Sequence, residues 1–288
     1  MVKRSYKICD LIEDKELDKK DYPEVIPDDY LWRDCVDYFL SLASQGGFIW
    51  KKSRMYRVTT SIFAVAMGIS SFETQDDLVL YLSGKKLRKF TQEELDRMNL
   101  GTVRESIARD YYIDLKNRKD KLGRKYSVQE VGLAVPKNNV YLGGSSDGVV
   151  YIDDEESDGL IEIKCPEIMY KGLIKHEKEV LRRKRLVEKS KKQPARFRRV
   201  LKFQKFDKYY HDHIKIEHYC QMIGCMAIMK KNWTDYIVYC LNQSQVCINK
   251  VYFNQKYWKG FMRPKLKEFI KFKLIPLLEG KLPIIPQV

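Results

Sequence analysis

The amino-acid sequence predicts an α/β domain with a mixed central sheet flanked by helices. Three observations carry this. Gly143–Ile152 and Leu160–Pro166 are β-branched, apolar runs on either side of the polar cluster 153–159, the pattern of a β-hairpin. Residues 73–120 and 219–231 repeat apolar side chains at helical spacing, and Trp233–Cys240 and 245–253 alternate as two strands about the turn Asn242-Gln243-Ser244.

Taken in order, residues 1 to about 28 are charged and lack apolar periodicity. From Asp29, the recurrence of Leu31, Trp32, Cys35, Tyr38, Phe39 and Leu42 predicts a helix, capped by Asp28 or Asp29 and stopped at Gly46-Gly47. Residues 1–45 are therefore expected as a helical N-terminal extension and 46–288 as the main domain. A basic segment from Trp50 runs into Thr60–Met67, which reads as a helix start. Within 73–120, Leu95, Met98, Leu100, Val103, Ile107 and Tyr111 form an apolar stripe around Glu105, and Ser127–Val135 reads as a strand leading into the hairpin. Trp258, Phe261, Leu266, Phe269, Ile270 and Leu274 predict a closing helix interrupted at Pro264. No internal repeat is visible.

Composition bounds the function. The chain has 288 residues, 44% hydrophobic content and a formal charge of +15, with a pI near 9.3, so polyanions are the expected partners; acidic substrates or membrane surfaces are other takers of such charge. Seven cysteines, at 9, 35, 165, 220, 225, 240 and 247, form no C-x-x-C pair and read as small buried hydrophobes of a reducing compartment. Met1-Val2-Lys3-Arg4 has no apolar run and no stretch approaches ~20 apolar residues, so neither secretion nor membrane insertion is expected and an intracellular setting is.

The chemistry lies in the hairpin. On a strand, Glu162 and Lys164 project together while Ile161, Ile163 and Cys165 face the other way, and folding the hairpin brings Asp147 level with that pair. Asp147, Glu162 and the Ile163 carbonyl offer hard oxygen donors suited to Mg²⁺, with Lys164 beside them to orient or activate a nucleophile. Asp-x14-Glu-x-Lys is the pattern of the PD-(D/E)xK nucleases; a solvated hairpin face is the alternative. Glu105 joins as a further carboxylate only if its helix packs beside the hairpin, and otherwise is a solvated or salt-bridging residue. Arg54 and Ser61 beside a helix start make a phosphate cradle, or Ser61 is merely a cap.

Five blocks extend the pattern: Trp50-Lys51-Lys52-Ser53-Arg54 through Thr59-Thr60-Ser61, Gly101-x-x-x-Glu105, Ser146-Asp147-Gly148, Gly159 through Pro166, and Tyr219 through Met226. In order and spacing they resemble the phage-lambda-exonuclease-like, YqaJ-type viral recombinases and alkaline nucleases. The resemblance implies a PD-(D/E)xK core and Mg²⁺, or Mn²⁺ in its place, as two ions. Asp147, Glu162 and the Ile163 carbonyl would bind metal, with a second-site contribution from Glu105. Lys164 would be the catalytic lysine, Gln221 would support the site from a helix, and Arg54 and Ser61 would hold a DNA phosphate. Arg57 is a second phosphate candidate on charge alone. Ser146 stands where the family often has proline.

About 167–218 lies a basic insertion longer than the compact phage enzymes need. It holds Arg182-Arg183-Lys184-Arg185 with Phe203, Phe206, Tyr209 and Tyr210 nearby, so it reads as a nucleic-acid channel, a solvated helix face or a nuclear import signal. His176, His211, His213 and His218 read as surface or DNA-contacting groups rather than a zinc site. The expected activity is a metal-dependent exonuclease working 5′ to 3′ on double-stranded DNA ends, with a single-strand annealing protein as partner and either a ring trimer or a monomer as its assembly. An endonuclease, an RNA-cleaving nuclease and a non-catalytic nucleic-acid-binding protein are the alternatives.

Overall fold

The computed structural model describes residues 6–7, 25–26, 32–87, 91–170, 214–241, 245–281 and 283. Strands β1 (Tyr6–Lys7) and β2 (Val25–Ile26) pair antiparallel. Where a helix was expected over 29–45, β3 (Trp32–Asp34) and β4 (Tyr38–Ser41) form a hairpin turning at the exposed Val36. The correction has a non-local cause. Tyr38, Phe39 and Leu40 pair with Pro136, Val135 and Ala134 of a distant segment, and that ladder satisfies backbone groups which the helical spacing of the side chains does not register.

Next come α1 (Phe48–Ser53), β5 (Val58–Thr59), a 3₁₀ turn (Thr60–Ile62), α2 (Phe63–Ala66), α3 (Gln75–Leu82) and the long α4 (Gln92–Lys119). Helix α4 opens with a capping box, Thr91 bonding the Glu94 N–H while Glu94 reaches back. Its apolar stripe faces outward, with Val103 62% exposed, and its buried side is Arg104, Ala108 and Tyr112.

The strand expected over 127–135 divides into β6 (Tyr126–Gln129) and β7 (Ala134–Pro136), which enter different sheets. Gly132 lies between them, where a Cβ would stand 2.1 Å from the Ser41 carbonyl oxygen, so only glycine lets the chain pass there. Then follow β8 (Leu142–Gly143), paired with β5, β9 (Gly148–Ile152) and β10 (Glu155–Lys164). The β9–β10 turn is shorter than expected, because Asp153 and Asp154 adopt left-handed φ values of 54° and 64° and close it in two residues. A register shift between Glu156 and Leu160 takes up the remaining polar residues.

Helix α5 (Ile216–Met229) and strands β11 (Trp233–Cys240) and β12 (Gln245–Tyr252) follow the expected pattern; residues 242–244 lie outside the described residues. The closing helix over 255–278 is continuous rather than broken at Pro264. Pro264 directly follows a π turn (Trp258–Met262), in which the Arg263 N–H bonds back to the Trp258 carbonyl, so the helix takes up the proline by local widening instead of ending.

The main sheet has the order β12-β11-β10-β9-β6, with β10 and β11 parallel and the other pairs antiparallel. One face, with Val149, Leu160, Tyr236 and Val238, packs under α5, α2 and the closing helix; the other, with Val150, Ile161, Ile163 and Ile237, packs on Ala108 and Tyr112 of α4. Each buried aliphatic contributes roughly 1.5–3 kcal/mol, so a one-residue slip of β10, which would exchange its faces, is strongly disfavoured. That register aims Glu162 and Lys164.

Candidate active site

Asp147 immediately precedes β9, and its Oδ2 accepts a 2.6 Å hydrogen bond from the Ile163 N–H, which locks it level with the end of β10. Glu162 is 1% exposed and its Oε1 accepts from Lys164 Nζ at 2.5 Å. From α4, Glu105 completes an acidic group whose charges act on one another. Burial, then the Asp147 charge, pushes the Glu162 carboxyl up to about 8. The same two causes push Glu105 up to about 7, and burial raises Asp147 as well. Burial works against the Lys164 ammonium, yet Glu162 and Asp147 outweigh it and hold the lysine protonated. The site thus carries more carboxylate than its one lysine neutralises.

The donor set suits a hard divalent cation: the half-buried Asp147 and the buried Glu162 stand together at the end of β10, and like charges so placed call for positive charge between them. Among the described residues, no three His, Cys, Asp or Glu side chains lie close enough to share one ion, so Glu105 acts on the pair from a distance in this conformation.

Helix α5 approaches the 3₁₀ turn closely. A Cβ at Gly224 would meet Phe63 at 2.6 Å and Thr60 at 2.8 Å, so glycine sets the spacing. Cys225 then lies 3.2 Å from Thr60 Oγ1, where the charge of Glu162 reaches it, and Gln221 stands one turn earlier on the same helix. At the rim, the Arg54 guanidinium lies 4.2 Å from the centre of the Trp50 ring and donates to Thr59 Oγ1 at 3.0 Å and Ser61 Oγ at 3.3 Å. Burial lowers it only to about 10, so it stays charged, beside an exposed Ser61.

A YqaJ-like viral recombinase domain matches residues 49–236. The chain belongs to that family. Its fold is similar to that of the alkaline exonuclease LHK-Exo from Laribacter hongkongensis, at 20% identity over 79% of this chain and 93% of the other, with a TM-score of 0.53. LHK-Exo in complex with dAMP gives 21% identity, the same coverage and a TM-score of 0.54. No curated protein matches the chain. Among the described residues no helix is long and apolar enough to cross a membrane.

In this YqaJ-like domain, two expectations need correction. Arg57 is no phosphate ligand: its side chain is 0% exposed, donates to the Val140 carbonyl at 2.7 Å and to the Ser53 carbonyl, and is lowered to about 9 by burial. Its charge was legible in the sequence but its burial was not. His218 is likewise no surface group. Its Nδ1 lies 2.7 Å from the Tyr236 hydroxyl, its ring packs between Tyr170 and Tyr236, and burial pushes it down to about 3. Arg182, Arg183, Lys184 and Arg185, with His176, His211 and His213, lie outside the described residues.

Three residues have positioning roles that the sequence does not show. Ser146, 1% exposed, donates to the Ile161 carbonyl at 2.7 Å and ties the two hairpin strands beside Asp147. Gln45 donates to the Ser146 and Val131 carbonyls, and Trp50 Nε1 to Ser145 Oγ at 3.0 Å. Trp50 sits in a recognised block; nothing local marks Gln45.

Proposed function

We propose that this protein is a metal-dependent deoxyribonuclease that degrades double-stranded DNA from its ends, 5′ to 3′, leaving 3′ single strands for recombination. The observation that carries this reading is the buried Glu162 with the half-buried Asp147 and Lys164 at the open end of the hairpin, carboxylate-rich and backed by Glu105. The family and the exonuclease fold support it. Asp147 and Glu162, with the Ile163 carbonyl, would hold Mg²⁺, or Mn²⁺ in its place, and a second ion would draw on Glu105. Such an ion lowers the pKa of a bound water and neutralises charge developing on the phosphodiester. Lys164, kept protonated by Glu162, donates to the phosphate or to the incoming nucleophile and holds it in line. Arg54 and Ser61 bind the terminal 5′ phosphate, and the Arg54–Trp50 stack fixes the direction of the guanidinium.

The test is cleavage of end-labelled linear duplex with and without Mg²⁺, beside relaxed circular DNA and single-stranded RNA. Mg²⁺-dependent loss of the linear substrate, with the circle intact, is the expected result. Cutting of the circle would make the enzyme an endonuclease, and inertness toward every substrate would leave a binding protein.

A further inference from the structure

Outside the carboxylate cluster, a cavity of about 820 Å³ opens between the C-terminal end of α5 and the closing helix. It begins at Asn232, beside Trp233, which pairs with Gly159, three positions before Glu162 on β10; at the rise of a strand this is ~10 Å from the nearest active-site carboxylate. Lys230, Lys259, Arg263 and Lys267 line it together with Trp258 and Phe253, and among its described lining residues Asp37 is the single carboxylate. Two more lysines at the wall, Lys137 and Lys231, are paired with Asp34 and Glu156.

The row Lys259, Arg263, Lys267 has no structural explanation. Its members recur every four residues, about 6 Å along the helix, and like charges at that spacing destabilise a helix. None of the three makes an ion pair with a described residue, although the same helix pairs Lys273 with Asp76. Lys230 alone has a local reason, since a cation suits the C-terminus of α5. A row of like charges facing a cavity with aromatic walls is what a strand of phosphates and unpaired bases would stabilise.

We propose that this cavity is a second nucleic-acid site, which takes a single-stranded segment. Its phosphates run along Lys259, Arg263 and Lys267, with Lys230 opposite, and a base rests against Trp258 or Phe253. A single strand is favoured over duplex because an aromatic wall stacks only on bases that are not already paired. The inference rests on the nucleic-acid reading of the protein, and gives the separated strand a place to be held outside the carboxylate cleft.

The test measures binding of fluorescein-labelled dT20 to the full chain in EDTA, so that cleavage plays no part. The variant K259Q/R263Q/K267Q should bind at least tenfold more weakly, and its slope of log K against log salt should flatten by about 0.7 for each phosphate that is no longer neutralised. The charge-retaining K259R/K267R should bind like wild type. In the wild-type chain, dT20 carrying 5-bromouracil should photocrosslink within residues 253–263. Unchanged affinity of a folded triple-Gln variant, or no adduct in that segment, would overturn the proposal. Unchanged dT20 binding with abolished poly-glutamate binding would overturn it in favour of an acidic protein partner. If the wild type binds dT20 at this cavity yet fails to cleave duplex in Mg²⁺, the nuclease reading fails while the second site stands.

Discussion

Two buried carboxylates, Glu162 and Asp235, occupy neighbouring strands of one sheet, one residue apart in register, and their surroundings treat them oppositely. Ile161 pairs with Asp235 and Glu162 with Tyr236, so the two acids point to opposite faces. Each is 1% exposed. Asp235 accepts from the Tyr112 hydroxyl at 2.7 Å and is bridged by Lys116 at 2.7 Å and Lys250 at 2.8 Å. Burial alone would raise its pKa, but Lys250 and Lys116 outweigh burial and lower it. Glu162 shares one lysine with Asp147 and Glu105, and rises to about 8. One acid with two cations is a satisfied structural cluster; a group whose acids outnumber its cations is poised to take on positive charge. Burial of charge therefore does not by itself mark a site, and the local charge balance does.

The comparison breaks most sharply on substitution. Asp147→Ala or Glu162→Ala should reduce DNA cleavage to background while leaving the unfolding midpoint in EDTA unchanged or higher, because an uncompensated buried charge has gone. Lys164→Ala should also lose most of the rate. Asp235→Ala should do the reverse, costing about 3 kcal/mol of stability by stranding Lys116 and Lys250, with cleavage per folded molecule preserved. Urea titrations and nuclease assays on the same preparations check both halves. If Asp235→Ala abolishes cleavage in a folded protein, or Glu162→Ala cleaves normally, the division between the two clusters is wrong.

How much of this was legible in the sequence follows the range of the forces. The hairpin was readable because alternation is local: Ile161 and Ile163 against Glu162 and Lys164 fixes two faces within five residues, and the structure places them so. Glu105 was readable only conditionally, since its place depends on α4 lying against β10. The N-terminal hairpin has the side-chain spacing of a helix because its pairing partner, β7, lies about a hundred residues away. Nothing local marks Asp235, whose lysines come from α4 and β12, and the charge of Arg57 in sequence says nothing of its burial.

A smaller effect sharpens the role of the rim. Arg54 is charged and aimed by Trp50, whereas Arg57, three residues on, spends its donors on backbone carbonyls. Arg54→Ala should weaken the preference for 5′-phosphorylated over 5′-hydroxyl duplex by about 1.5–3 kcal/mol, roughly tenfold or more in rate ratio. Arg57→Ala should instead lower the melting temperature and leave the preference of the folded enzyme intact. Equal rates on both ends in the wild type would remove the phosphate pocket.

The smallest expected effect concerns His218, a titratable group in the same core. Burial, then Lys164 and Lys215, depresses its pKa to about 3, so the native state holds it neutral while the unfolded chain titrates near its ordinary 6.5. Its contribution to stability is therefore complete above pH 6.5 and is lost progressively as pH falls toward 3. At pH 5 the loss amounts to about 2 kcal/mol. Glu162 works in the opposite sense: with its folded pKa raised, the native state gains stability as pH falls from about 8 toward its ordinary 4.5. The raw pH profile mixes the two, so the informative quantity is a difference. In EDTA, the stability of wild type minus that of His218→Phe should be constant above pH 7 and should shrink by about 2 kcal/mol at pH 5, because phenylalanine has no proton to take up. The missing Tyr236 hydrogen bond offsets that difference equally at every pH. A difference independent of pH between 7 and 5 would mean that His218 charges freely in the fold, and that the aromatic wall beside Lys164 is wet.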